Sequence, residues 1–333
     1  MTQPVNHASP LTIAVTGAAG FVGRHIVREL LTAGHTVRCL VRSNAKAKSV
    51  LPADRRIQLV IGDVLDRKSP AELVKGADAC IHLIGIIRES GNQTFKNMHE
   101  FATRAMLDAC TAASVGRFIH MSAIGVVPDA KAEYQVTKFE AEKMVRRSGL
   151  NWTIFRPGLI HGKGGELSDM IASWCRGRSA PFFFIPYFTR LVEHDQPVPL
   201  SRVSLESARI APVHVDDVAK AFVASLHSSE SVGEIYNLTG PDNMDWSTML
   251  ATFRDALSDG DRTLPIIGLP ARPHAYMALA AKRINLGWLF PFDAGQAFMA
   301  ENDAVADCHK ATLHLNFQPR PFAPALQAYA TSI

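Results

Sequence analysis

Disulfide chemistry has little to work with in this chain of 333 residues. Its five cysteines, Cys39, Cys80, Cys110, Cys175 and Cys308, are odd in number, widely spaced and never in a C-x-x-C pair. Cys39, Cys80 and Cys110 fall inside expected strands or a helix, where a thiol acts as a small buried hydrophobe. A disulfide scaffold is excluded, and a reducing cytoplasm is the expected location. No apolar run reaches the roughly 18 residues that span a bilayer. The longest candidate, 277–292, is interrupted by Lys282 and Arg283. Residues 1–10 lack the basic-then-apolar order of a signal peptide and read as a loose tail. The N-x-T strings at Asn92, Asn151 and Asn237 read as chance. No histidine pair has metal-ligand spacing, so no metal is expected. The net charge of +4 is scattered, without a basic stripe of interleaved aromatics, which sets nucleic acid aside. Internal repeats and low-complexity segments are also missing.

What remains is an ordinary globular composition, 47% hydrophobic and 20% charged. It can fill one large core or two moderate ones. The first informative stretch is Ile13-Ala-Val-Thr-Gly-Ala-Ala-Gly-Phe-Val-Gly-Arg24. A short apolar run predicts a buried parallel strand, three glycines a turn, and Val22, Ile26, Val27 and Leu30 the inner face of a helix. Strand, glycine turn and helix together aim free amides and a helix dipole at a phosphate. Gly17 permits the turn, Gly20 clears space for a pyrophosphate, and Gly23 lets the helix approach the strand. Ala19, Phe21 and Val22 belong to the same turn. Beyond a second strand, where an NAD site usually carries an acid, this chain has Arg42, with Lys46 and Lys48 close by. A guanidinium suits a 2′-phosphate, so NADP(H) is favoured over NAD(H).

Strands predicted at 36–41, 57–61, 79–84, 117–121 and 151–155 alternate with helices. One helix starts at the capping box Ser69-Pro70-Ala71-Glu72, one runs over 93–114, and one runs over 133–147, stopped by Gly149. This rhythm predicts an α/β fold with a doubly wound parallel sheet. The suggestive residues cluster at strand ends: Gly17 to Gly23, Arg42, Asp63, Gly85, Ser122 and Pro157. After Gly162 the rhythm fades into an aromatic–basic tract, 174–190, that could line an apolar pocket, touch a partner or membrane surface, or pack a core. Asp216 is expected near a helix N-cap, with capping the better account of the Asp216–Asp217 pair, and 234–238 is a strand candidate for the sheet. The expected division is a tail (1–10), a nucleotide-binding domain (11–161 with 210–240) and a smaller, mainly helical substrate-side lobe (162–209 with 241–333).

Tyr134 and Lys138 stand four apart on the helix over 133–147, so both share one face. Using tyrosine as a base near neutrality needs its pKa of about 10 lowered by roughly 3 units, about 4 kcal/mol. A neighbouring ammonium has the right sign. Ser122, leaving the fifth strand, could hydrogen-bond a substrate oxygen. His82, His161 and His214, at strand ends, read as satisfied structural histidines.

Together with Val41-Arg42, Gly62-Asp63-Val64, His82-Leu-Ile-Gly85 and Arg156-Pro157-Gly158, these motifs resemble the extended and atypical short-chain dehydrogenases/reductases. Ile81-His-Leu-Ile-Gly-Ile-Ile87, Gln93-Thr-Phe95, His120-Met-Ser-Ala-Ile-Gly125 and Trp152-Thr-Ile-Phe-Arg-Pro157 look like bacterial relatives of the NAD(P)H-binding accessory subunit of respiratory complex I, alpha subcomplex subunit 9. The resemblance implies a Rossmann-type domain with Ser122, Tyr134 and Lys138 in catalytic positions. It implies cofactor contacts from the glycine turn, Arg42, Asp63 and Val64 (at the adenine), Leu83, Ile84, Gly85, Tyr134, Lys138, Pro157, Gly158 and Ile160. Three activities stay open: hydride transfer to or from a carbonyl or alcohol, epimerase or dehydratase chemistry on a nucleotide sugar, and a nucleotide-holding assembly role beside a respiratory complex or membrane periphery. A monomer or homodimer acting on a small molecule is expected.

Overall fold

The computed structural model describes residues 9–193, 203–283 and 294–333. Its centre is a parallel sheet in the order β12-β6-β5-β4-β1-β2-β3. The strands are β1 (Thr12–Thr16), β2 (Thr36–Val41), β3 (Ile57–Ile61), β4 (Ala79–His82), β5 (Arg117–Met121), β6 (Trp152–Pro157) and β12 (Glu234–Leu238). The strand order reverses between β1 and β4, and a crevice at the carboxyl ends follows from that reversal. Alternation along β1 feeds the two faces of the first core. Ile13 and Val15 pack with Ile26, Val27 and Leu30 of α1 (Phe21–Thr32) and Val218 and Phe222 of α7 (Val215–Ser225). Ala14 joins Leu73 of α3 (Lys68–Val74), Met106 of α4 (Ala102–Ala112) and Val145 of α5 (Glu133–Arg146) on the other face. Helix α1 stops where Gly34 turns left-handed at φ +90°, its successor His35 donating back to the Leu30 carbonyl. A short helix, α2 (Asn44–Val50), is capped by Ser43.

The second core gathers Ile171 and Cys175 of α6 (Glu166–Cys175), Ile185 of β8 (Ile185–Glu193), Phe253 of α8 (Trp246–Ala256) and Leu326 of α12 (Phe322–Ala330). Strand β8 is central to a small sheet with β9 (Val203–Ser207) and β14 (Ile266–Pro270). Around Phe188 on that sheet pack Ala275 and Ala278 of α9 (Ala271–Arg283) and Ala297 of α10 (Ala294–Ala300). Short pairs β7 (Ile160–His161) with β11 (Val213–His214), and β10 (Arg209–Ile210) with β13 (Met244–Asp245), join the two regions. Helix α11 (His309–Leu315) returns to the first core through Ala311 and Leu315.

Several local expectations need correcting. The span 93–114 is not one α-helix: a wider π turn, Lys96–Phe101, precedes α4, and Ser114 ends it at φ 55°. Ser69 lies inside α3, its hydroxyl donating to Asp66, so no capping box forms. Strand β4 stops at His82 because the chain must leave the sheet for Gly85. The N-cap acceptor of α7 is the His214 ring, not Asp216. Asp216 pairs with His25 at 2.6 Å, and Asp217 takes a forked hydrogen bond from Arg320. The aromatic tract divides: Phe183 is 80% exposed while Ile185 is buried.

Candidate active site

The glycine turn has the shape a nucleotide phosphate requires. Gly17 sits at φ +71°, and a side chain there would strike Leu83. A Cβ on Gly23 would lie 2.1 Å from the Gly17 carbonyl, so only glycine lets α1 start this close to the strand. Gly20 caps α1 without a side chain, and among the described residues the amides of Phe21, Val22 and Gly23 find no protein acceptor. They stand at the positive end of the helix, where an anion is favoured. Phe21 turns away to fit beneath Gly162 and Gly165, and Arg24 donates to the carbonyls of Lys163 and Gly164. Arg42 is exposed at the end of β2 and makes no hydrogen bond or ion pair among the described residues. The Asp63 carboxylate accepts from the Leu65 amide in a tight turn, and the Val64 side chain is core. Leu83 is buried, Ile84 half-buried and Gly85 open along the crevice. Pro157 ends β6 against Leu238 of β12. A Cβ on Gly158 would crowd Thr239, and Ile160 pairs with Val213. The cradle and free amides fit a dinucleotide.

On the opposite side of β4, α5 delivers Tyr134 and Lys138 to the carboxyl ends of β4 and β5. Lys138 is 2% exposed, and its ammonium donates to the Met121 carbonyl at 2.9 Å. A Cβ on Gly85 would come within 2.8 Å of that nitrogen, so Gly85 makes room for the lysine. Burial lowers Lys138 to about 8, with the Glu142 carboxylate opposing the fall. Tyr134 goes the other way, up to about 12, through burial. The sequence expects a lowered phenol, whereas the burial supplied by the protein's own residues raises it. Ser122 is 3% exposed and its Oγ has no partner among the described residues.

Beneath these groups runs a polar chain that sequence patterns do not reveal. The Ile86 amide donates to His99 Nε2, leaving Nδ1 to donate to Thr137. Thr103 donates to the His99 carbonyl and accepts from His82 Nε2; Thr16 Oγ1 in turn donates to His82 Nδ1 and accepts from the Leu83 amide. Each proton is fixed by a backbone group, so both rings are neutral; burial holds His82 down to about 3 and His99 to about 2. The chain joins the residue before Gly17 to the helix of Tyr134. His99 also packs edge-on against the Tyr134 ring at 5.3 Å. Of the strand-end histidines, His82 is satisfied, whereas His161 bonds Tyr329 through Nδ1 and its Nε2 has no partner among the described residues. One further residue escaped sequence reasoning. Glu142, fully buried, takes a forked hydrogen bond from Arg156 at 2.8 and 2.6 Å. Its only signal is its spacing of four from Lys138, which puts it on the same helix face.

A family model for NAD(P)H-binding proteins matches residues 17–169, and one for male sterility proteins matches 126–222. Over residues 17–222 the chain is thus similar to NAD(P)-binding, extended short-chain dehydrogenase/reductase-like proteins. Among its relatives is a ceramide reductase of Caulobacter vibrioides, 30% identical over 64% of this chain and 60% of that protein. Another is the complex I alpha subcomplex subunit 9 of Arabidopsis thaliana, 25% identical over 95% of this chain and 75% of that one. The chain covers 56% of the Neurospora crassa 40 kDa complex I subunit, at 27% identity. The chain thus spans less than two thirds of the length of the Caulobacter and Neurospora relatives. The fold superposes on a UDP-glucuronic acid 4-epimerase of Bacillus cereus bound to NAD, with a TM-score of 0.68, 20% identity, and 96% and 97% of the two chains covered.

Proposed function

We propose that this chain is an NADP(H)-dependent reductase that exchanges hydride between a nicotinamide and a carbonyl or alcohol carbon. The observation that carries it is the convergence of Tyr134, Lys138 and the unpartnered Ser122 Oγ at the carboxyl ends of β4 and β5, across Gly85 from the glycine turn. Amides of Phe21, Val22 and Gly23 would hold the diphosphate, with Arg42 on a 2′-phosphate; NAD(H) is the alternative. When bound, the nicotinamide supplies hydride to a carbonyl carbon. Tyr134 holds the proton that its Oη then gives to the substrate oxygen, and a phenol near 12 is the correct form for this reducing direction. Lys138 places positive charge behind the phenol, and Ser122 donates to the developing oxyanion. The ceramide reductase among the relatives supports this direction.

A second reading, a nucleotide-holding assembly protein, is favoured by the complex I subunits among the relatives. Tyr134→Phe separates the two: it should abolish NADPH-dependent carbonyl reduction, by about a thousandfold or more, and leave NADPH affinity unchanged. Full activity in Tyr134→Phe would overturn the catalytic assignment, and retention of a cellular role by that variant would favour the assembly reading. A small-molecule substrate and a cytoplasmic monomer or homodimer complete the proposal. Among the described residues no helix is long and apolar enough to cross a membrane.

A further inference from the structure

Between the loop joining β5 to α5 and the region of β8, α9 and α10 lies a cleft of about 510 Å³. Its wall includes Gly125, three residues beyond Ser122, and Gln135, next in the chain to Tyr134. The volume is that of a small-molecule site. Its chemistry divides into two parts. Val127, 45% exposed, Leu191, 48% exposed, and Phe298 supply apolar surface from three separate elements. Among the described residues both guanidinium groups are already paired. Arg190 is bonded to Asp303 at 3.0 Å, and Arg272 is paired with Glu301 at 3.3 Å, the glutamate side chain only 10% exposed. On the loop, exposed Asp129 and Lys131 add one charge of each sign, so the cleft carries no net charge beyond its paired guanidinium groups.

A sugar nucleotide carries two negative charges on its diphosphate and needs uncommitted cations; a carboxylated substrate needs one. Each guanidinium in this cleft is already paired, and freeing Arg272 strands the mostly buried Glu301 carboxylate. We infer that this cleft receives the carbonyl substrate and selects an uncharged compound with an apolar chain, the chain lying along Val127, Leu191 and Phe298. The inference rests on the reductase reading for the identity of the reacting group, and on the cleft alone for substrate class.

The test uses a matched pair of probes, 2-decanone and 9-oxodecanoate, which differ by a terminal carboxylate, with UDP-glucose as the third. Each is titrated calorimetrically into the full chain saturated with NADP+, a dead-end complex in which binding is read without turnover. The expected result is 2-decanone bound at least about tenfold more tightly than 9-oxodecanoate, and no heat from UDP-glucose. Leu191→Glu, at a half-exposed position that leaves the fold intact, should weaken 2-decanone about tenfold without changing NADP+ affinity. Glu301→Gln, which frees Arg272, should bring 9-oxodecanoate binding up severalfold. Wild-type protein that binds UDP-glucose or 9-oxodecanoate as tightly as 2-decanone overturns the inference, as does Leu191→Glu with unaltered 2-decanone affinity. If 2-decanone binds as expected but NADPH never reduces it, the substrate class stands and the reductase reading falls.

Discussion

Lys138 is held at a cost that its proposed role explains. Its ammonium is buried against one carbonyl oxygen, and burial brings its pKa from 10.5 to about 8. The unfolded chain therefore binds more protons between about pH 8 and 10.5, and stability gains from this group as pH rises through that window. Below pH 8 the penalty is fully present, at most about 3 kcal/mol. Lys138→Met should stabilise the nucleotide-free protein at pH 7 by about 1–3 kcal/mol, after the lost hydrogen bond to Met121 is counted. The gain should vanish above pH 10.5, while carbonyl reduction is lost at every pH. Urea unfolding at the two pH values checks the first expectation; a Lys138→Met protein less stable at pH 7 would refute it. Arg42 is tested by affinity: Arg42→Ala should weaken NADPH binding by about 10- to 100-fold and NADH binding hardly at all. Equal losses would remove the 2′-phosphate from the reading.

At the level of elements, the two helices flanking the crevice are fixed by different forces. Helix α1 is fixed by close approach: Gly23 has backbone 2.1 Å from where a Cβ would stand, and no rotamer relieves a backbone clash. Gly23→Ala should cost several kcal/mol and abolish nucleotide binding, seen as a lower melting temperature that NADPH no longer raises. Helix α5 is fixed by charge, since Arg156 on β6 reaches the fully buried Glu142. Glu142→Leu leaves the Arg156 guanidinium without its partner and should cost about 3–5 kcal/mol. The α1 side was legible in the sequence, because glycines at 17, 20 and 23 have few uses after an apolar strand, and strands β1 to β6 announced themselves as apolar runs punctuated by turns. The Glu142–Arg156 pair and the His82–Thr103–His99–Thr137 chain were not, because hydrogen bonds between distant elements leave no periodic trace. The small sheet also stayed hidden: β8 carries Pro186 and Arg190 and shows no clean alternation.

For the molecule as a whole, the question is how the two cores hold the crevice together. The carboxyl-terminal stretch serves both, with α11 on the first core and α12 in the second. Between these helices Arg320 grips Asp217, which is 4% exposed at the start of α7, through a forked hydrogen bond of 3.0 and 2.8 Å. Just beyond, Tyr329 meets His161 at the end of β7, and Phe322 packs edge-on against the same ring. Helix α7 in turn reaches α1 through Asp216 and His25, close to the glycine turn. Arg320→Leu removes the partner of a nearly buried carboxylate and should destabilise the protein by about 3 kcal/mol. The loss should not be shared evenly. Sheet strands β1, β4 and β5 are buried on both faces, so their amides open only with global unfolding, whereas α12 can open on its own. Hydrogen exchange in Arg320→Leu should therefore accelerate most in α12, beyond the uniform increase set by the lower global stability. Saturating NADPH, bound at the other end of the His25–Asp216 link, should slow the sheet and leave α12 fast. Uniform acceleration across sheet and α12 would mean that the two cores unfold as one unit, and that the pair is only one contact among many.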